Sequence, residues 1–161
     1  MKKSFVNYTY IFIILTVCSL VFHISFTDYN DIKYYFPTRT IYIAISLLVN
    51  YFYLKIAFNC IEKYIQIDIL SIVRVGKKDF LKLLIKRIVI YMIIFILFSL
   101  ASDLLLYHEI CITGIAATLI LELVLGIFLA ISYNKLKSNT FIITLLVCIV
   151  IKLLIKMILY Y

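Results

Sequence analysis

The amino-acid sequence predicts an all-α, polytopic integral membrane protein with five transmembrane helices and an amphipathic cytoplasmic helix between the second and the third. Hydrophobic residues make up 66% of the 161 residues and charged residues 15%, whereas a soluble domain carries about 25% charged residues. Five apolar stretches reach the length of about 20 residues that a spanning helix needs, or fall just short of it. They do not alternate in polarity as barrel strands do, so helices must satisfy their backbone in lipid.

The first predicted span is expected to be a retained helix. It begins after Lys2 and Lys3, as a secretory signal would, but its apolar run continues to Phe26 with no small residues at a cleavage point. The five predicted spans belong to a single transmembrane domain, 1–161, and comprise residues 4–27, 40–58, 88–106, 110–132 and 140–160.

The aromatic residues predict a belt at the membrane surface that is built from Tyr and Phe, because the chain has 14 Tyr and no Trp. Tyr29, Tyr34 and Tyr35 follow the first predicted span directly. Since the ring is apolar and its tip is polar, we expect these three side chains at headgroup depth.

The segment between the second and third spans, residues 59–87, is expected to be a coupling-like cytoplasmic element. Its apolar side chains fall mostly on one side of a helical wheel, as in a helix that lies along the membrane interface. Gly76 occupies the place of a left-handed residue that ends this helix, and Asp79 is placed to cap the next one. A basic edge follows, which fits anionic headgroups and a cytosolic partner equally well. It consists of Lys78, Lys82 and Lys86.

The net charge of +8 indicates topology in this chain and does not predict a nucleic-acid partner. If the spans alternate, 12 of the 16 Lys and Arg residues lie on the side of the N-terminus; the other four are Lys33, Arg39, Lys152 and Lys156. Lys and Arg mark the cytoplasmic side of membrane proteins. We therefore expect a multi-pass protein of the cell membrane with a cytoplasmic N-terminus and an extracytoplasmic C-terminus.

The sequence carries no recognisable catalytic constellation. Its four cysteines are far apart and lack metal-ligand spacing, and neither histidine has a Cys or His at ligand spacing. There is no phosphate-binding glycine loop and no nucleophile or metalloprotease motif. We expect no metal, no cofactor and no enzymatic activity, with the cysteines acting as packing residues.

Glu122 stands in the middle of the fourth predicted span, where a charge costs roughly 2.5–3.5 kcal/mol. Lys152 lies at comparable depth in the fifth span, and Lys156 lies near the level of Asp103. We expect the interhelical ion pairs Glu122–Lys152 and Asp103–Lys156, which would fix the packing. Two alternatives stay open: a substrate or proton path, and a protonated Glu122 that donates a hydrogen bond. Two glycines on the same helix predict a close helix contact: Gly114 and Gly126.

The corner before the third span reads Arg74-Val75-Gly76-Lys77-Lys78-Asp79-Phe80. With the cytoplasmic N-terminus and the short first loop, it resembles the permease subunits of ABC-2-type transporters. The greatest similarity is to the small Ile/Tyr/Lys-rich permeases found with bacteriocin and antimicrobial-peptide export or immunity systems of low-GC Gram-positive bacteria. The resemblance covers residues 1–130.

In that family the loop between helices two and three is the coupling element that docks into a cleft of a separate ATPase. The resemblance implies that the docking residues of this chain are Arg74, Gly76, Lys77, Lys78, Asp79 and Phe80. Such permeases usually have six helices, and this chain offers five. The resemblance therefore implies a second permease subunit or a homo-oligomer.

Two functions from different classes stay open. The first is a permease subunit that moves a peptide or lipid-like amphiphile with energy from a cytosolic ATP-binding subunit. The second is a stand-alone membrane interaction protein, such as a bacteriocin immunity or accessory factor. An integral membrane enzyme comes third, because the polar residues outside the spans are too scattered to form a known site. Membrane lipids are partners in every case.

Overall fold

A computed structural model describes residues 2–65, 76–136 and 139–160. These residues form six α-helices and no strand, which confirms the all-helical prediction for this part of the chain. In chain order the helices are α1 (Lys2–Phe22), α2 (Phe26–Lys33), α3 (Thr40–Ile65), α4 (Lys77–Tyr107), α5 (Ile112–Leu136) and α6 (Asn139–Tyr160).

Helix α3 is the centre of the bundle and packs against each of the other five helices. Half of the apolar stretches of α3 and α5 is buried, against 28% for α4 and 17% for α6. α3 and α5 approach closely where a Cβ on Gly126 would lie 2.8 Å from the Cβ of Ala57. The expected close contact at Gly126 is therefore confirmed, and α4 and α6 bury few of their apolar side chains.

Four of the described helices are long and apolar enough to cross a membrane: Thr40–Glu62, Lys78–Tyr107, Ile112–Leu129 and Thr140–Ile158. The chain is thus a multi-pass membrane protein. α1 contains a shorter apolar stretch, Val6–Phe22. It ends five residues before the expected boundary at residue 27, because His23 leaves the helix with a φ of +45°.

The connection between α1 and α3 is an additional short helix rather than a loop at the membrane surface. Ser25 caps α2 by accepting a hydrogen bond from the Asp28 backbone N–H at 3.3 Å. Tyr29, Tyr34 and Tyr35 are each only 1% exposed. α2 folds back onto the bundle and buries these rings among the helices instead of exposing them to lipid headgroups; their depth in the membrane stays a prediction.

The described parts of the expected coupling element, residues 59–87, continue the helices on either side of it. Residues 59–65 belong to α3, and α4 begins at Lys77 rather than at the expected residue 88. Gly76 has a φ of +85° and a ψ of +135°, which glycine tolerates but which is not the left-handed helical conformation that was predicted. Asp79 is not the cap, because it lies inside the first turn of α4, after Gly76 at the N-cap. Residues 66–75, which include Arg74, lie outside the described residues.

The two ends of the bundle differ in how the helices are joined. The α2 end holds α2 together with the C-terminal ends of α1 and α4 and the start of α5, which are joined by hydrogen bonds such as Tyr107 hydroxyl to the Ile24 carbonyl oxygen at 2.7 Å. The Gly76 end is the opposite one, where α4 begins and α3 ends.

Candidate functional site

The interior of this membrane protein contains two groups of buried polar side chains that differ in their hydrogen bonding. The α2 cluster consists of Tyr29, Lys33, Tyr34, Ser102 and Asp103. The Tyr–Glu group consists of Tyr8, Tyr53, Tyr91 and Glu122. Charged and polar groups at such depth normally mark packing networks or ion and substrate pathways.

The α2 cluster is built around the ion pair between Lys33 and Asp103. The Lys33 Nζ lies 2.5 Å from the Asp103 Oδ1, and both side chains are fully buried. The same ammonium donates to the Ser102 Oγ at 2.6 Å and to the Ser99 carbonyl oxygen at 3.2 Å. Helix α2 therefore inserts its last residue between the spans and is held there by α4.

Two tyrosine hydroxyls complete the coordination of the Asp103 carboxylate. Tyr29 donates to Oδ1 at 3.1 Å, and Tyr34 donates to Oδ2 at 2.8 Å. The Tyr34 ring lies over Gly114, where a Cβ would come within 2.7 Å of it. The expected close contact at Gly114 is thus confirmed, although the neighbour is the end of α2 and not a spanning helix.

Burial shifts the ionisation of the groups that α2 brings into this cluster. It lowers the pKa of Lys33 to about 8, and the Asp103 carboxylate opposes this change. It raises the pKa of Tyr29 and Tyr34, and the negative charge of Asp103 adds to the increase. Since a pKa of about 8 is above neutral pH, Lys33 remains protonated at pH 7 and the ion pair is formed.

A second ion pair fastens α2 to α6. The Lys156 Nζ lies 2.5 Å from the Asp31 Oδ2 and donates to the Phe36 carbonyl oxygen at 3.1 Å. Burial raises the pKa of Asp31, and Lys156 opposes this increase. The expected Asp103–Lys156 pair is therefore wrong: the inward fold of α2 supplies Lys33 to Asp103 and Asp31 to Lys156.

Glu122 and Lys152 are both buried, but each has another partner. The Lys152 Nζ donates to the Asn50 Oδ1 of α3 at 2.5 Å. The Glu122 Oε1 accepts only the weak thiol donor of Cys148, at 3.5 Å, and Oε2 has no hydrogen-bond partner among the described residues. Lys152 acts on Glu122 electrostatically. The expected Glu122–Lys152 ion pair is thus replaced by a longer-range interaction, because the Lys152 ammonium donates its hydrogen bond to Asn50.

Three tyrosine hydroxyls share this lack of partners. Tyr8, Tyr53 and Tyr91 are at most 5% exposed, and within the described ranges none of their hydroxyl oxygens has a hydrogen-bond partner. The Tyr8 and Tyr53 rings pack against α4 in tilted contacts: the ring centroids of Tyr8 and Phe98 are 4.7 Å apart, and those of Tyr53 and Phe95 are 5.2 Å apart. All three interact electrostatically with Glu122.

The predicted docking residues lie apart from these groups, at the Gly76 end. Gly76, Lys78 and Asp79 are exposed, and Phe80 is half-buried. Asp79 pairs with Lys82 at 3.5 Å in a solvent-exposed contact. The side chain of Lys77 lies outside the described part of the structure, as does Arg74.

Sequence reasoning did not single out Tyr53, Tyr91, Asn50 or the buried role of Lys33, and it expected Tyr8 in the aromatic belt at the inner interface. One signal was available for α2, since Ser25 followed three residues later by Asp28 is the pattern of a helix N-terminus. Tyr29 and Lys33 then fall on the same face of that helix. The tyrosines carry no such signal, because a tyrosine in an apolar span is an ordinary packing residue.

A comparison with known proteins found no matching family model, no similar curated protein and no similar solved structure. The resemblance to ABC-2-type permeases therefore stays a prediction that rests on the residues quoted for it.

Proposed function

We propose that this chain is a membrane-spanning subunit of an ABC-type transporter that moves a peptide or lipid-like amphiphile with energy from a separate ATPase. The observation that carries the proposal is the length of α4. Its 31 residues make a helix of about 46 Å, whereas the hydrocarbon core of a bilayer is about 30 Å thick. The end at Tyr107 is tied to Ile24, so the excess length extends from the Gly76 end.

The extending part of α4 is exposed and basic. Lys78, Lys82 and Lys86 recur on one edge and are all exposed, while the intervening Leu81 and Ile85 are exposed as well. The apolar side of such a helix can lie at the level of the lipid headgroups. Its basic side can bind a negatively charged protein surface. An acidic cleft on an ATPase is the partner that this edge would accept.

The burial pattern supports a subunit rather than a complete transporter. The centre of the bundle is filled by large side chains, among them Tyr53 and Phe95, which are fully buried. α6 exposes most of its apolar side chains. A substrate path would then run between this chain and a second copy or a second permease subunit, with lipid covering the remaining surface.

The proposal includes the topology that the charge distribution predicts. In it, α1 is a fifth span beside the four long apolar helices, because its 21 residues give a length of about 31 Å. The N-terminus and the Gly76 end are then cytoplasmic, and the α2 end is extracytoplasmic.

Copurification with an ATPase tests the proposal. The protein is produced together with the products of neighbouring genes, extracted in mild detergent and captured. We expect wild type to retain an ATP-binding protein, and the variant Lys77→Glu/Lys78→Glu/Phe80→Ala to release it while still inserting into the membrane. The matched control is Arg39→Glu, which reverses an exposed charge at the α2 end and should leave retention unchanged.

The filled interior also fits the second candidate, a stand-alone interaction protein such as a bacteriocin immunity factor, which needs no path. If wild type never retains an ATP-binding protein, the permease proposal fails and this candidate takes its place. If the triple variant and Arg39→Glu release the ATPase equally, docking does not occur at the basic edge.

A further inference from the structure

A cleft opens at the α2 end of the bundle, between the C-terminal end of α1 and the N-terminal end of α3. Its volume is about 430 Å³, within the range of about 300–1,000 Å³ that is typical of ligand pockets. Three polar and three apolar or aromatic residues line it, which suits a ligand that is itself amphiphilic. They are Phe22, Thr38, Arg39, Thr40, Ile41 and Tyr42.

The cleft lies where apolar helix surface meets polar residues. The apolar stretch of α1 ends at Phe22, and the apolar span of α3 begins at Thr40, so Thr38 and Arg39 lie just outside it. Lipid headgroups flank the hydrocarbon core of a bilayer at the ends of such spans. Exposed apolar side chains continue from the cleft along α1 and α3, where acyl chains can cover them. They include Leu20, Val21 and Ile41.

Arg39 supplies the positive charge of the cleft and is held in place from two sides. Its guanidinium lies over the Tyr42 ring, 5.7 Å from the centroid, and the edge of that ring pair is completed by Phe22 at 6.5 Å. Its carbonyl oxygen accepts from the Ile43 backbone N–H at 3.1 Å, which fixes the main chain. A donor that is already positioned loses less conformational entropy when it binds a ligand.

Asp28 of α2 lies beside Arg39. The Arg39 Nη1 and the Asp28 Oδ2 are 3.7 Å apart, and the Arg39 side chain is 68% exposed. That distance is too long for a hydrogen bond, and exposed ion pairs contribute little to stability. The guanidinium therefore keeps its N–H donors available for a ligand. The mouth of the cleft presents one positive and one negative group side by side.

This pair of charges favours a headgroup that carries both signs. A phosphate forms strong, bidentate hydrogen bonds with a guanidinium, and the hydroxyls of Thr38 and Thr40 offer further donors at the cleft. A headgroup with a phosphate alone would be attracted by Arg39 and repelled by Asp28. An ammonium on the same headgroup removes this conflict, because the Asp28 carboxylate can then accept its N–H groups.

We propose that this cleft binds the headgroup of phosphatidylethanolamine, with the lipid phosphate at Arg39, the lipid ammonium at Asp28 and the acyl chains along the exposed apolar side chains of α1 and α3. The α2 end is opposite the Gly76 end, where the proposed ATPase docks. Lipid binding at the cleft can therefore hold or fail independently of the proposed transport function.

Native mass spectrometry of the full chain tests the inference, with phosphatidylethanolamine and phosphatidylglycerol of identical acyl chains added to detergent micelles. We expect wild type to retain the ethanolamine lipid about fivefold more strongly, the effect of one exposed ion pair. Arg39→Gln should weaken the retention of both lipids about 10-fold, because it removes a charge-assisted contact with the phosphate. Asp28→Asn should make the retention of the two lipids equal.

Both variants are expected to fold. Arg39 is exposed, and an Asn at position 28 keeps an oxygen that can accept the Ser25 hydroxyl, as Asp28 does at 3.2 Å. Lys82→Gln is the matched control, because Lys82 is also an exposed cation beside a carboxylate, at 3.5 Å, but belongs to the Gly76 end. It should retain both lipids as wild type does.

Three results would overturn the proposal. Equal losses in Lys82→Gln and Arg39→Gln would show that headgroups bind any exposed cation of the chain. Equal retention of the two lipids by wild type would exclude recognition of the ammonium. Free phosphoethanolamine, which lacks acyl chains, should not displace the lipid at equal concentration. If it does, the cleft binds a soluble phosphate ester and not a lipid.

Discussion

The α2 cluster and the Tyr–Glu group each combine a buried carboxylate with buried tyrosines, and they differ in their hydrogen bonds. Asp103 receives an ammonium and two hydroxyl donors. Glu122, which is just as buried, receives one thiol, and the tyrosines around it have no partner among the described residues. A fully satisfied buried network rigidifies a fold, whereas a buried polar atom without a partner costs about 1–3 kcal/mol unless water satisfies it.

The difference assigns the two groups different roles. The α2 cluster joins a short helix to the spans, and each of its contacts fixes the position of α2. The Tyr–Glu group holds polar atoms that the packing of the protein alone does not stabilise. We therefore expect the loss of a hydroxyl to cost more stability in the α2 cluster than in the Tyr–Glu group.

The largest effect is expected from breaking the ion pair between Lys33 and Asp103. Lys33→Met and Asp103→Asn should each lower the free energy of unfolding by about 3–5 kcal/mol, because each leaves one partner buried without its counter-charge. The double variant should recover a large part of the loss. The measurement is reversible unfolding in detergent–lipid micelles.

The exposed pair of Asp79 and Lys82 provides the matched control for this cycle. Asp79→Asn and Lys82→Met should change the free energy of unfolding by less than about 1 kcal/mol, as exposed ion pairs do. Strictly additive losses in the Lys33–Asp103 cycle would contradict the structural role of the α2 cluster.

The same substitution made in both groups sharpens the comparison. Tyr34→Phe removes a hydroxyl that donates to Asp103 and should cost about 1.5–3 kcal/mol, the contribution of a hydrogen bond to a charged group. Tyr53→Phe removes a hydroxyl without a partner in the described residues. Its cost should stay below about 1 kcal/mol. Thermal unfolding of both variants in the same lipid checks the difference, and equal losses would remove the distinction between the two groups.

The smallest effect is expected from pH. The folded-state pKa of Lys33, about 8, lies below the ordinary value of about 10.4, so between these values the unfolded chain holds more protons. The contribution of Lys33 to stability is therefore lowest below pH 8 and rises with pH, by at most about 1.4 kcal/mol per pH unit. The difference in unfolding free energy between wild type and Lys33→Met should change in favour of wild type from pH 8 to pH 9.

Subtracting the Lys33→Met variant cancels the titration of the tyrosines, which both proteins share. A difference that stays constant over this range, or that moves against wild type, would show that Lys33 does not lose its proton there. In that case the ammonium of the α2 cluster is more strongly stabilised than its burial implies.

Much of the fold could be predicted from the sequence, because apolar length is a local property of each segment. The predicted span 140–160 coincides closely with α6, the span 40–58 shares its first residue with α3 but ends seven residues before it, and the interface on α5 follows from its two glycines. The start of α4 was placed eleven residues too late, since its basic first turns resemble a separate interfacial segment. α2 was missed because it is only eight residues long, and seven of them are polar or aromatic, so the segment looks like a loop.

From the sequence, charged residues of the candidate site could be predicted, but their partners could not. Glu122 and Lys152 are conspicuous because charge within a span is costly. Their partners are not, since depth along the sequence shows which residues share a level but not which helices are neighbours. Lys152 donates a hydrogen bond to Asn50, and Lys33 pairs with Asp103, which lies 70 positions later in the chain.

The sequence by itself determined that this protein is a bundle of apolar helices that carries Glu122 and Lys152 into the membrane, because hydrophobicity and helix length act segment by segment. Only the tertiary structure decided that α2 folds inward, that the Asp103 carboxylate receives an ammonium and two hydroxyl donors, and that Glu122 receives only a thiol from the residues described. Hydrogen bonds form over about 3 Å, and which atoms come that close depends on the packing of every helix at once.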